Sequence, residues 1–200
     1  DIIDLAKYST IPVINGLSDM SHPCQALADL YTIREKSGGF EGVKLAFIGD
    51  GNNVVHSLLY ACGKIGLNFS VATPEGYEPD KDIFEAAVAL GKKSGANIVL
   101  SNDPKEALKG ADFVYTDVWA SMGQEKEAEK RKKEFKGFTL DEKLVSYAKK
   151  GCKIMHCLPA HRGEEITDEV IDSKNSIVFD EAENRLHVQK AILLWLLIER

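Results

Sequence analysis

The chain has 200 residues, enough for one domain of substantial core, or one domain and part of another. It is 44% hydrophobic and 28% charged, and its formal net charge of −6 argues against a general nucleic-acid binder while leaving small anions open. The longest apolar run, AILLWLLI at 191–198, falls far short of the about 20 residues that cross a bilayer, so no membrane partner is expected.

The N-terminus lacks the charged-then-apolar pattern of a signal peptide, and the four cysteines include no CxxC pair. A cytoplasmic protein with reduced thiols is expected.

In chain order, residues 1–40 hold a helix remnant, a short strand (PVI) and a helix opening at His22-Pro23. Continuous apolar runs then predict strands at 43–48, 68–73, 96–100, 112–116, 152–156 and 176–179. Helices are expected between them at about 53–66, 80–93, 104–109, 124–135 and 140–149, and a last one over roughly 182–198. Asp103-Pro104 offers a cap with proline at the first helical position, and Thr139 to Glu142 has capping-box spacing. Parallel strands need crossover helices, so the alternation predicts an α/β fold: a Rossmann-like open parallel sheet with helices on both faces. The final helix is apolar around its circumference from Ala191 to Ile198. It therefore expects cover, by self-association or by folding back over the sheet.

Ligands in such folds gather beyond the carboxyl ends of the strands. GDGNN (49–53) follows the first strand there. It begins like GxGxxG, but Val54 holds the third glycine position and no acid closes the second strand, so a dinucleotide reading is weak. A helix N-terminus with two amides remains, suited to a carboxylate or amino group, or to simple capping by Asn52 or Asn53. Asp117 opens TDVWASMGQE (116–125), where an acid could meet an ammonium and the loop amides a carboxylate. His22 and Gln25 in SHPCQALADL (21–30) sit near a helix N-terminus, a natural anion site, although a histidine there can be purely structural. In IMHCLPAHRGEE (154–165), Cys157 stands at a strand end. Cys152, His156, Cys157 and His161 lack the usual zinc spacing, so no metal site is expected, and a lone hydrogen-bonding or proton-handling thiol is the better reading.

Together HPCQ (22–25), GDGNNVVHS (49–57), ATPEGYEP (72–79), DVWASMGQE (117–125), HCLPAHRGEE (156–165) and FDEAENRLHVQKA (179–191) resemble the ornithine carbamoyltransferases over essentially the whole chain. The resemblance implies transfer of the carbamoyl group of carbamoyl phosphate to L-ornithine, giving L-citrulline and phosphate, with no cofactor. It implies that Asn53, Asp117, Ser121 and Met122 hold ornithine. Cys157 and Leu158 would lie where the ornithine side-chain nitrogen meets the carbamoyl group, with Cys157 and Asp117 in catalytic roles. His22, Gln25 and Arg185 would reach carbamoyl phosphate. It further implies a homotrimer or higher oligomer for the full enzyme.

The family's Ser-Thr-Arg-Thr phosphate-gripping motif is absent from the 200 residues. Residues 1–37 therefore read as the remnant of the carbamoyl phosphate domain with its linking helix, 38–180 as the ornithine-binding domain, and 181–200 as a helix returning to the first. The chain alone is expected to be inactive, and the loop around Ser121-Met122-Gly123 is expected to close on ligand. A non-catalytic amino-acid-binding module on the same scaffold is the competing class, with a dehydrogenase a distant third.

Overall fold

Each core strand carries apolar side chains on both faces, and the fold covers both. In the computed structural model, which describes residues 2–120 and 125–198, five strands form one parallel sheet. They are β1 (Lys44–Ile48), β2 (Asn68–Ala72), β3 (Ile98–Ser101), β4 (Phe113–Thr116) and β5 (Lys153–His156), in the order β3-β2-β1-β4-β5. Along β1, Leu45 and Phe47 enter one apolar cluster while Ala46 and Ile48 enter the other. β4 divides in the same way, Phe113 and Tyr115 against Val114. That alternation within an unbroken apolar run is why the sheet must be sandwiched by helices.

The helices are α1 (Ile2–Tyr8), α2 (Pro23–Ser37), α3 (Asn53–Ile65), α4 (Lys81–Ser94), α5 (Pro104–Leu108), α6 (Ala128–Glu134), α7 (Glu142–Val145), α8 (Asp168–Ile171) and α9 (Val178–Ile198). Local chemistry fixes several starts. Asp80 Oδ1 accepts from the amides of Asp82 and Ile83 to open α4, and Asp103 caps α5 ahead of Pro104.

Several expectations need correction. No strand forms over PVI (12–14). The helix expected at 140–149 shrinks to α7, and its cap is Asp141, which accepts from Leu144 N–H, rather than Thr139. The 124–135 segment is a 3₁₀ turn (Glu125–Glu127) followed by α6, with Gln124 outside the described residues. The sixth strand at 176–179 is a single parallel bridge between Ser176 and Ile154, after which α9 begins at Val178. Ile177 and Val178 drop into opposite apolar clusters, and the Glu181 N–H to Ile177 carbonyl bond starts the helix.

α9 packs its first half on α2, burying Glu181 and Asn184. Its last turns stay uncovered, with Trp195 63% and Leu197 73% exposed, so the tail does not fold back over the sheet. No helix among the described residues is long and apolar enough to cross a membrane.

Candidate functional site

From β1 the chain steps outward to β2 and β3, then crosses back to β4 on β1's other side. Crossovers leaving in opposite directions open a crevice at that boundary, beyond the strand ends. The turn after β1 enters it. Gly51 passes so close to the loop after β2 that a Cβ would lie 2.3 Å from Pro79 N, and its N–H donates to Tyr77 O at 2.9 Å. Asn52 then caps α3, its Oδ1 accepting from Val54 and Val55 N–H at 3.0 and 3.3 Å. Capping by the oxygen frees the amide nitrogen, which donates to Asp117 Oδ2 at 2.7 Å.

Asp117 is buried at the end of β4. Its Oδ1 accepts from its neighbour Val118 N–H at 2.8 Å and from the Cys157 thiol at 3.0 Å. Burial first, then the adjacent carboxylate, push the Cys157 thiol well above the usual thiol range. Cys157 is accordingly a protonated donor here rather than a resting base. A carboxylate offers about four lone-pair positions, so three donors leave Asp117 room for one more.

The strand end that carries Cys157 is held from behind. Nε2 of the fully buried His156 pairs with Glu165 Oε1 at 3.1 Å, and its Nδ1 accepts Leu158 N–H at 2.9 Å. Leu158 sits at φ 55°, unusual for a residue with a branched side chain. Such strain persists where neighbours over-determine the backbone, and it clusters at functional sites.

A second polar group lies against the first. From α2, Gln25 Nε2 donates to Asp29 Oδ1 at 2.7 Å and to Glu181 Oε1 of α9 at 3.3 Å. Arg185 Nη1 donates to Gln25 Oε1. Glu181 Oε2 accepts His156 N–H at 3.1 Å, tying α9 to the strand that carries Cys157. His22 is buried, its N–H bonded to Ser57 Oγ at 2.8 Å, while its Nδ1 has no partner among the described residues. Burial and Arg185 lower the His22 pKa, favouring the neutral ring.

The residues singled out from sequence thus converge in part. Cys157 and Asp117 are hydrogen-bonded, Leu158 follows Cys157, Gln25 and Arg185 are joined to each other, and His22 lies near enough for Arg185 and Asp117 to act on its charge. Asn53 does not join Asp117: its Nδ2 donates to Ser18 O at 2.7 Å, and Asn52 takes the place beside the carboxylate. Ser121 and Met122, with the expected closing loop, lie outside the described residues.

Donor atoms of Asp117, His156 and Cys157 lie within 4.8 Å of one another. Both His156 nitrogens and the thiol proton are already committed to protein partners, so this arrangement does not present a metal site. Two open depressions, of about 480 and 470 Å³, lie elsewhere, between α7 and α8 and along the α2–α9 seam.

Sequence reasoning also missed the contacts of one buried cation. Arg131 of α6 is buried, donates to Asp50 Oδ2 and to Trp119 O, both at 2.7 Å, and lies over the Tyr77 ring. It ties the segment after Asp117 to the turn after β1. A cation amid the run AEKRKKE reads as a solvated helix face, so the sequence carried no signal for it.

The chain as a whole resembles known proteins. Residues 41–196 match the aspartate/ornithine carbamoyltransferase Asp/Orn binding domain, and residues 1–35 match the carbamoyl-P binding domain of the same family. The ornithine carbamoyltransferase of Pyrococcus horikoshii is 61% identical over 197 residues, covering 98% of this chain and 62% of that protein. The anabolic ornithine carbamoyltransferase of Pyrococcus furiosus is 61% identical over 193 residues, covering 96% of this chain and 61% of that protein. The solved ornithine carbamoyltransferase of Pyrococcus furiosus superposes with a TM-score of 0.93 at 60% identity, over 96% of this chain and 62% of that one. That of Campylobacter jejuni, anabolic, gives 0.93 at 44% identity, over 99% and 66%. The chain spans about 62% of the length of the curated relatives it matches. With a match over most of its length and relatives at such identity, the chain belongs to the aspartate/ornithine carbamoyltransferase family.

Proposed function

We propose that these residues belong to an ornithine carbamoyltransferase, in which the side-chain amine of L-ornithine attacks the carbamoyl carbon of carbamoyl phosphate to give L-citrulline and phosphate. The observation that carries this reading is the Asn52–Asp117–Cys157 constellation in the crevice between β1, β4 and β5. Asp117, with one acceptor position open, receives an ammonium of ornithine, a charge-assisted contact in a secluded site. Ser121, Met122 and Asn53 complete the amino-acid end, Asn53 after releasing Ser18.

Cys157, held as a thiol, donates a hydrogen bond and orients the reacting nitrogen rather than removing its proton. Leu158 lines the meeting point of the two substrates. On the second side, neutral His22 and the Gln25–Arg185 pair reach carbamoyl phosphate, Arg185 countering the charge that develops on departing phosphate. Little covalent chemistry falls to the protein, so positioning does most of the work.

On this reading, 1–37 serve the carbamoyl phosphate unit and its link, 38–180 bind ornithine, and 181–200 return to the first unit. The partners are two small substrates rather than nucleic acid, the setting is the cytoplasm, and the full enzyme is a homotrimer or larger. The test is citrulline formation by a polypeptide of the relatives' full length carrying these residues, with L-ornithine or L-aspartate as acceptor. Citrulline from ornithine and no carbamoyl product from aspartate is expected. Turnover of aspartate alone would overturn the reading.

A further inference from the structure

Two carboxyls lie fully buried against each other at the α2–α9 seam, and neither is a substrate contact in the reading above. Asp29 and Glu181 both have zero exposure. One amide group, Gln25 Nε2, serves both. Asp29 Oδ2 has no donor among the described residues, and the two carboxyls converge on the same Gln25 Nε2, at 2.7 Å and 3.3 Å. Two buried carboxylates in contact repel, and a carboxylate oxygen left without a donor in a closed interior is costly. A proton between them removes both faults.

The surroundings compensate the pair only in part. From α2 the pair is faced by Gln25, and from α9 by Arg185, the one cation among these groups. From β4 comes the Tyr115 hydroxyl, buried beside both acids without a well-aligned partner. β5 contributes the His156 N–H, with Cys157 beyond it. Cys62 of α3 and Asp117 complete the titratable neighbours, and both thiols are protonated. One cation, Arg185, faces Asp29, Glu181 and Asp117, so a proton kept on the buried pair reduces an excess of negative charge.

We propose that Asp29 and Glu181 share a single proton at neutral pH, and that this pair is the positioning device that sets the Gln25 side chain and the β5 end for carbamoyl transfer. The amide nitrogen of Gln25 is turned inward to the pair, which leaves its oxygen outward for Arg185. Glu181 holds His156 N–H, one residue before Cys157. Loss of the shared proton drives the acids apart and releases Gln25, Arg185 and the strand end together. Burial, foremost, raises both carboxyls, and their mutual charge adds to this for Glu181. Because the folded pKa is raised, folded-state stability declines as pH climbs from the ordinary carboxylate range through that of the pair.

The proton sharing stands by itself; the positioning role rests on the proposed reaction. The first experiment is a carboxyl ¹³C NMR titration of the chain, with the Asp29 and Glu181 side chains assigned. Retention of one proton between them through neutral pH is expected, and both carboxyls fully ionised at neutral pH would overturn the inference whatever the protein catalyses. The second compares Asp29→Asn and Asp29→Ala in a polypeptide of the relatives' full length. Asn keeps a donor to Glu181 permanently. It should hold the KM for carbamoyl phosphate near wild type and remove the alkaline decline in activity, while Ala raises that KM about tenfold or more. Equal behaviour of the two variants would overturn the positioning role. An active-site reading that fails outright shows instead as no citrulline from the wild type, with the NMR result untouched.

Discussion

The Cys157 thiol donates to Asp117 Oδ1 at 3.0 Å, across 40 residues of sequence, and so joins the ends of β5 and β4. The two partners have unequal tasks. On the proposed reading, removing the Asp117 charge leaves the ornithine ammonium without its counterion, typically about 2–5 kcal/mol, whereas a thiol's hydrogen bond is weak. In a full-length enzyme, Asp117→Asn therefore raises the KM for ornithine strongly, and Cys157→Ser acts mainly on kcat and its pH profile. Steady-state kinetics on both variants check this, and the reverse pattern would remove both role assignments.

The same contact governs thiol chemistry. Burial and Asp117 raise the Cys157 pKa, so little thiolate exists at neutral pH and alkylation of wild type by iodoacetamide is slow. Asp117→Asn removes one cause of the shift, which lowers the pKa. At fixed pH the rate should rise by about tenfold for each unit recovered, and the pH at which alkylation accelerates should move down. Peptide mass spectrometry reads this at Cys157. A rate no faster than wild type would mean that the carboxylate does not control the thiol.

Gly51 is where the turn after β1 and the loop after β2 touch. A Cβ there would meet Pro79 N at 2.3 Å, Glu78 C at 2.5 Å and Tyr77 O at 2.6 Å, all backbone atoms that no rotamer change can move. Gly51→Ala should destabilise by at least the about 1–3 kcal/mol typical of overpacking. Gly39→Ala, whose added carbon meets nothing within 4 Å, serves as the control. Urea unfolding of the two variants separates them, and equal midpoints would contradict the close approach.

Arg131 and Asp50 form a buried ion pair at 2.7 Å. Burial nonetheless raises the Asp50 carboxyl, with Arg131 pulling it back, so desolvation outweighs the attraction. Arg131→Met leaves that charge unpaired and should cost about 3–5 kcal/mol, with much of it recovered when Asp50→Asn is added. It also frees the Trp119 carbonyl, so the KM for ornithine should rise as well. Denaturation of the single and double variants checks the coupling; an additive double variant would show that the pair is not coupled.

The sheet was legible because apolar runs and helix caps are local signals. Asp80 and Asp103 open helices where short-range chemistry says they should. Local signals failed where tertiary contacts decided. Ser176 to Phe179 has strand composition, yet only Ser176 bridges β5, and α9 takes over at Val178, with Glu181 on it accepting His156 N–H. The site divides in the same way. Cys157 and Asp117 stand at strand mouths that the alternation alone marks out. Asn52 and Asn53 are neighbours of identical chemistry, and only folding shows that the first caps α3 and meets Asp117. Gln25 and Glu181 are 156 positions apart, and nothing in either helix's pattern announces a shared amide.

The central claim is that the Asn52–Asp117–Cys157 crevice receives L-ornithine beside carbamoyl phosphate. Its most direct test is a crystal structure of a full-length polypeptide carrying these residues, bound to L-ornithine and an unreactive phosphonate analogue of carbamoyl phosphate. The account predicts an ornithine ammonium within hydrogen-bond distance of Asp117, with the reacting nitrogen facing Cys157 and the analogue reached by Gln25 and Arg185. Ornithine bound away from Asp117, with the thiol–carboxylate contact undisturbed, would contradict it.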